Sequence, residues 1–381
     1  MVSNRVSISL SNDGFMRPVV ARSNSHHQTG ADEAKTFKSM CPGITMTASK
    51  SAVLKNSDIF GGYVSSWVAW ANDPEIREAG SSAGVLTAMT DWLISTGRIR
   101  SVVASTEAKV DPRRTVPLTI TTRDEALTAA GSRYAPVANL TNLKIDDFQT
   151  SALIGKPCEA SAIKQLGDAL GLQDHQRPIV LSFFCAGTPS QLATDSLAEL
   201  LEAPADDIEH LRYRGNGWPG EFTIKLESGD TRTMSYDQSW GTHLGRTVQW
   251  RCKICVDGTG GHSDIAVGDY WEVDSKGYPL FENADGRSVA IARTVRGEEL
   301  LEAAERDGII TRSPLKLDLV SAVQPLQTER KLTLAARLVG RRVAGKRIPQ
   351  YKGYNLIRIG RQSGMKALRA LAGTFVRTRQ S

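Results

Sequence analysis

Between residues 101 and 201, short strand-like runs alternate with helical patterns, and this alternation constrains the fold more than any other feature. Ser101 to Ser105 and Val116 to Thr121 read as strands, and Arg123 to Ala130 as a short helix. Ala152-Leu153-Ile154-Gly155 is a strand ahead of a helix at Ser161 to Leu170, and Ile179 to Phe184 is a strand ahead of a helix at Gln191 to Leu201. Repeated strand–helix–strand order calls for an α/β sheet with crossover helices, whose loops gather at one edge after the parallel strands. Upstream, a loop with Gly61-Gly62 and an aromatic patch (Tyr63, Trp67, Trp70) leads to Gly80-Ser81-Ser82-Ala83-Gly84. There an apolar stretch begins with Val85, Met89, Trp92 and Leu93 on one helical face, ending near Gly97. From Ile208 the texture turns β-rich, with strands expected at His210 to Arg214, Phe222 to Leu226, Thr231 to Tyr236 and Asp264 to Val267. The expected class is α/β: a mixed sheet with crossover helices, a β-rich C-terminal half and a basic helical tail.

The length of 381 residues suits two domains. With 40% hydrophobic and 23% charged residues the chain is neither fibrous nor wholly disordered. No apolar run approaches the ~18 residues of a spanning helix, and residues 1 to 30 hold no signal-peptide core, so a cytoplasmic protein is expected. The net charge of +6 is unevenly placed. Residues 329 to 381 carry 14 Lys/Arg against one acid, which leaves the body mildly acidic. Within that tail, Leu332, Leu334, Ala335, Leu338, Val339 and Val343 alternate with Lys331, Arg337, Arg341 and Arg342. Met365, Leu368, Ala372 and Phe375 recur among Lys366, Arg369 and Arg377. Two amphipathic basic helices are predicted, split by Pro349 and the Gly353 region. The first is expected to pack on the acidic body. The second is expected to meet an acidic protein or an anionic membrane surface, peripheral to the inner membrane. No nucleic-acid-binding module surrounds the charge, so nucleic acid is not the expected partner.

Five cysteines, Cys41, Cys158, Cys185, Cys252 and Cys255, are too few for a secreted disulfide framework. Cys252-Lys253-Ile254-Cys255 places two thiols three positions apart, a spacing that grips a metal centre or exchanges a disulfide. Cys158 and Cys185 each follow a strand, so the sheet edge can bring them to the Cys-x-x-Cys loop and complete four ligands; buried small thiols are the plainer reading. Gly80 to Gly84, just before a helix, is either a phosphate cradle or a plain N-cap with Ser82 capping. Arg212-Tyr213-Arg214-Gly215-Asn216-Gly217-Trp218-Pro219-Gly220 is either a tight structural turn with its Trp buried, or a surface that stacks a flat ring.

Eight ordered blocks carry a resemblance: Ser81-Ser82-Ala83-Gly84-Val85-Leu86-Thr87, Gly131-Ser132-Arg133-Tyr134-Ala135-Pro136-Val137, Gly155-Lys156-Pro157-Cys158, Phe184-Cys185-Ala186-Gly187-Thr188-Pro189-Ser190, Tyr213 to Gly220, Cys252 to Asp257, Asp264 to Trp271 and Ala292-Arg293-Thr294. In this order, over residues 40 to 305, the chain resembles the coenzyme F420 hydrogenase/dehydrogenase beta-subunit family of iron-sulfur flavoproteins. The resemblance implies an oxidoreductase passing electrons between FAD, one 4Fe-4S cluster and a ring or carrier substrate, with a redox partner. It implies Cys158, Cys185, Cys252 and Cys255 as cluster ligands, and Ser81, Ser82, Gly84, Thr87, Gly131, Ser132, Arg133 and Tyr134 as the FAD site. Arg133, Tyr134 and Lys156 are the polar residues expected to face flavin or substrate.

The parts implied are a poorly ordered segment at 1–50, a remnant of a ferredoxin-like region; an FAD-binding region at 51–150; a cluster-binding domain at 151–325; and the tail at 326–381. Three departures stand out. Ala83 replaces the first glycine of Ser-Ser-Gly-Gly, Ala186 replaces the histidine of Phe-Cys-His-Gly, and of the N-terminal ferredoxin-like cysteines only Cys41 is present. The loss of the histidine and of the N-terminal cysteines favours an alternative of another class, a non-redox accessory protein of cell-surface polysaccharide biosynthesis that keeps the fold with structural zinc or no metal.

Overall fold

The computed structural model describes residues 6–20, 31–49, 53–271 and 285–380. Eight strands form one sheet: β1 (Ser65–Ala71), β2 (Ser101–Glu107), β3 (Thr115–Ile120), β4 (Ser151–Gly155), β5 (Ile179–Phe183), β6 (Ile265–Asp269), β7 (Ser288–Ala292) and β8 (Ile310–Pro314). Their spatial order is β8-β1-β7-β6-β5-β4-β2-β3. The centre, β2-β4-β5-β6, is parallel, and both flanks are antiparallel. The class expected from the sequence is the one observed, a mixed α/β sheet.

Side chains alternate across each central strand, so every strand feeds two cores. Val102, Ala152 and Leu181 face helices α1 (Val85–Ser95) and α4 (Val295–Arg306), whose Met89, Leu93, Leu301 and Ala304 are buried there. Val103, Leu153 and Val180 face the other way, onto α2 (Pro157–Ala169) through Ala160, Ile163 and Leu166. Helix α3 (Gln191–Leu200) buries Leu197 against a separate three-stranded sheet of Ile208–Arg212, Glu221–Leu226 and Thr231–Ser235. This small sheet is the β-rich texture read after Ile208.

Three differences from the sequence reading are physical. Ser65–Ala71, taken as part of an aromatic loop, is a strand flanked on both sides, because β7 and β8 pair with it and its Trp67 packs against the sheet core. Residues 6–20, read as irregular, form a hairpin of Val6–Leu10 and Met16–Val20. Its turn is fixed by Gly14 in the left-handed region, φ 75°, and by Gln191 N–H donating to Gly14 O at 2.8 Å. Ala31–Met40 is helical. Thr45–Thr47 is a strand that pairs in parallel with Gln350–Lys352, and of the 1–50 segment expected to be poorly ordered only residues 1–5, 21–30 and 50 lie outside the described residues.

The tail forms α5 (Pro325–Val343) and α6 (Met365–Arg379), as the apolar spacing predicts. They cross closely at Gly340, where an added Cβ would lie 2.5 Å from Leu371 O. The side of α6 turned from α5 exposes Met365 and Leu368. Among the described residues no helix is long and apolar enough to cross a membrane.

Candidate functional site

The carboxyl ends of β4 and β5 deliver Cys158 and Cys185 to one place. Pro157 begins α2, so Cys158 sits in its first turn beside the capping Lys156. Cys185 follows β5 and is held by its own N–H, which donates to Gly258 O at 2.8 Å. Cys252 lies in the short helix Trp250–Lys253, and its sulfur accepts from Thr188 N–H at 3.3 Å. Cys255 Sγ lies 3.0 Å from Asp257 O. Gly187, at φ 139°, lets the chain pass the Cys252 loop, since an added Cβ would lie 3.2 Å from Cys252 Cβ. The four thiols are half-buried and feel one another electrostatically. Burial pushes the Cys185 thiol up to about 12 and raises Cys158 and Cys252 as well, with neighbouring cysteines adding to each shift.

Cations surround this group. Arg251 stands by Cys255, Cys158 and Cys252, and Arg330 by Cys185 and Cys252. Arg251 also ties the centre to the N-terminal segment by donating to Pro42 O, and to Tyr351 Oη at 3.2 Å. Cys41 belongs to that same Met40-Cys41-Pro42-Gly43 loop. Lys156 Nζ donates to Glu159 Oε1 at 2.7 Å; burial works against its charge, but Glu159 and then Cys158 more than offset that and hold it protonated. Lys156 thus stands at the thiol group and also donates to Val137 O at 3.4 Å, at the end of the Gly131 to Val137 block.

Those two loops meet. Ser132 Oγ donates to Ser81 Oγ at 2.8 Å, and Ser132 N–H reaches Arg214 O at 3.4 Å. Ser82 does not cap α1. Its hydroxyl bonds Arg287 O and Ser288 Oγ, while Gly84 occupies the N-cap at φ 71° with no side-chain cap, leaving the first-turn N–H groups unclaimed by any cap. Thr87 lies in that turn, half-buried. Ala83 is 0% exposed, its N–H directed to Ser288 Oγ and its carbonyl accepting from Ala71, so the methyl that departs from the family pattern points into the core. Gly131, at φ 93°, is required by packing, because a Cβ there would lie 2.6 Å from Arg214 O.

Arg133 is engaged throughout. Nε donates to Thr115 Oγ1, Nη1 to Leu211 O, and Nη2 to Pro112 O and Arg114 O, so it clasps the small sheet to the β2–β3 edge. Tyr134 packs on Trp240, Tyr213 and Tyr236 at ring separations of 4.9, 5.8 and 6.5 Å. In the 212–220 loop Trp218 is buried, which is the structural-turn reading of that motif. Arg214 lies inside an aromatic box of Tyr236, Trp218 and Trp271, at 4.6, 4.8 and 5.1 Å from their centroids, with Asp269 at 2.6 Å. The side chains that sequence reasoning missed are Arg251, Gln327, Arg330 and Lys331 around the thiols. They bond mostly to backbone carbonyls, which leave no pattern in a sequence.

Sequence models of the coenzyme F420 hydrogenase/dehydrogenase beta subunit match this chain in two consecutive stretches, the N-terminal model over residues 66–144 and the C-terminal model over 148–317. The chain belongs to this family. The coenzyme F420 hydrogenase subunit beta of Methanococcus voltae is 27% identical over 307 residues, covering 76% of this chain and 99% of that protein. The F420-dependent formate dehydrogenase 1 subunit beta of Methanococcus maripaludis is 26% identical over 249 residues, so that this chain spans 60% of its length. A chain of the F420-reducing [NiFe] hydrogenase complex from Methanosarcina barkeri shares the fold, with a TM-score of 0.59 at 22% identity over 79% of this chain and 99% of that one. Helices α5 and α6 lie beyond residue 317, outside both family matches.

Proposed function

We propose that the protein is a redox subunit of the F420 hydrogenase/dehydrogenase beta-subunit type that binds FAD and one 4Fe-4S cluster and exchanges electrons with a ring or carrier substrate and a redox partner. The observation that carries this is the gathering of Cys158, Cys185, Cys252 and Cys255 beside Lys156, Arg251 and Arg330. Four thiols with cations about them fit an anionic thiolate-ligated cluster, whose ligands bind separate iron corners. A single zinc ion instead needs its ligands to converge at about 2.3 Å from one point.

Cys158, Cys185, Cys252 and Cys255 would hold the cluster, and the loops of Ser81 to Thr87 and Gly131 to Tyr134 would hold FAD, the free N–H groups at the start of α1 suiting a phosphate. When bound, the flavin supplies two-electron chemistry and the cluster one-electron transfer. The chain's own residues orient and shield. Arg133 fixes the 131–134 loop through its carbonyl contacts, the Ser81–Ser132 bond holds the two loops together, and Tyr134 forms an apolar wall with Trp240 and Tyr236 that excludes water. Thr188 N–H steadies the Cys252 sulfur. The domain boundaries proposed are 51–150 for flavin and 151–325 for the cluster.

Anaerobically prepared protein should be brown and release about one FAD per chain on denaturation. A screen of reduced deazaflavin, ferredoxin and quinone-type donors should find one that bleaches the flavin band. Protein that retains no flavin after anaerobic reconstitution would refute the reading.

A further inference from the structure

Helix α5 lies against the loops of Cys185, Cys252 and Cys255. Gln327 Nε2 and Arg330 Nη2 both donate to Cys185 O, at 3.2 and 2.9 Å, and Arg330 Nη1 donates to Ala186 O at 3.4 Å. Arg330 Nη2 also donates to Gln327 Oε1, which fixes the pair. One position on, Lys331 Nζ donates to Val256 O at 3.1 Å from a site only 8% exposed, its ammonium 4.7 Å from the Tyr354 ring centroid. Two turns further, Arg337 Nη1 donates to Lys253 O at 3.3 Å. Gly258, whose carbonyl receives the Cys185 N–H, has no room for a Cβ because Arg330 and Gln327 fill that space. A charged tail packed only for solubility would meet acidic side chains or solvent. Lys331 also faces the buried Asp257, but Arg330, Lys331 and Arg337 all bond carbonyls within two residues of Cys185, Cys252 and Cys255, with Arg330 near the Cys185 and Cys252 thiols and Lys331 near that of Cys255.

We infer that α5, which lies beyond the family matches, is a built-in cationic wall of the four-cysteine centre: Arg330 and Lys331 are positioning residues that hold the Cys185 and Cys252–Cys255 loops together and favour added negative charge there. The inference rests on the cluster reading above. Each one-electron reduction of the centre adds one negative charge, with no bond formed or broken, so a cation at this wall favours the reduced form.

The test compares full-length wild type, R330Q, R330K, K331M and R342Q after anaerobic iron-sulfur reconstitution. Arg342 is exposed on the same helix and serves as the control. Iron and acid-labile sulfide per chain, the midpoint potential in an EPR-monitored dithionite titration at pH 7, and the rate of iron loss to a chelator are read for each. R330Q should shift the reduction equilibrium about tenfold toward the oxidised form, ~59 mV for one electron, and lose iron faster. K331M should shift in the same direction, while R330K and R342Q stay near wild type. Equal potentials and equal iron loss in all five proteins would overturn the wall while leaving the cluster reading intact. Wild type that binds no iron and sulfide would overturn both.

Discussion

Arg214 gives a prediction whose size follows from its surroundings. The guanidinium is 1% exposed, paired with Asp269 at 2.6 Å, donates Nε to Pro219 O at 2.6 Å, and sits among three aromatic rings. Burial works against its charge and Asp269 more than offsets that, so the side chain stays a cation. Replacing it by Met leaves the box filled but the carboxylate unpaired. Breaking a buried pair costs about 3–5 kcal/mol. Asp269 keeps 21% of its side chain exposed, and sulfur–aromatic contacts return up to ~1 kcal/mol, so R214M should destabilise by about 2–3 kcal/mol. For 381 residues, an unfolding entropy of about 2.1 cal/mol/K per residue converts this to a fall in Tm of roughly 3–4 °C. Thermal denaturation followed by tryptophan fluorescence measures it. The R214M/D269N double variant should recover about half of the loss or more, because it removes the orphaned charge. An R214M Tm within about 1 °C of wild type, with no coupling to D269N, would refute the paired-cation account.

Three further outcomes follow from other sites. G131V places a side chain at φ 93° against Arg214 O and should cost about 1–3 kcal/mol and lower flavin retention, read as flavin per chain after gel filtration. Asp73 caps Pro74–Ala79 by accepting from Glu75 and Ile76 N–H groups. Its carboxyl is held below its ordinary value, burial working against the shift but outweighed by the Ile76 N–H and Arg123. The cap's contribution should therefore be complete above about pH 4 and fade as pH falls through the lowered value, and D73A should cost ~1 kcal/mol at pH 7 and abolish that acid dependence in urea titrations. The exposed Met365 and Leu368 beside Lys366 and Arg369 would carry the contact with an acidic protein or anionic membrane expected of this helix. K366E/R369E should lower co-sedimentation with anionic vesicles at low salt, and equal sedimentation would remove that partner.

The parallel centre was legible because β4 and β5 are short apolar runs followed directly by helical periodicity, and their loops had to share an edge. That rule allowed Cys158 and Cys185 to approach the Cys-x-x-Cys loop, with buried small thiols the plainer reading, and the family resemblance chose the approach. β1 was not legible, since Trp67 and Trp70 on alternate faces of a strand buried on both sides give no polar–apolar alternation. Arg133 was named through the family resemblance, and that its donors go to four oxygens at distant sequence positions left no local pattern to read. The tail was legible as two helices, but the atoms its cations meet were not. The first helix does pack on the body as expected, with Leu334 and Leu338 against Met46, Ile254 and Val256 and Lys331 facing Asp257, while its hydrogen-bond acceptors, carbonyls of the cysteine loops, left no pattern in the sequence.

The central claim is that the four thiols hold one iron-sulfur cluster, and its most direct measurement is iron and acid-labile sulfide per chain, with EPR of the dithionite-reduced protein, for wild type and C185S. The account predicts about four iron and four sulfide per wild-type chain, with a reduced-cluster signal that is lost or displaced in C185S. One zinc per chain with no sulfide and no signal, or iron unchanged in C185S, would contradict it.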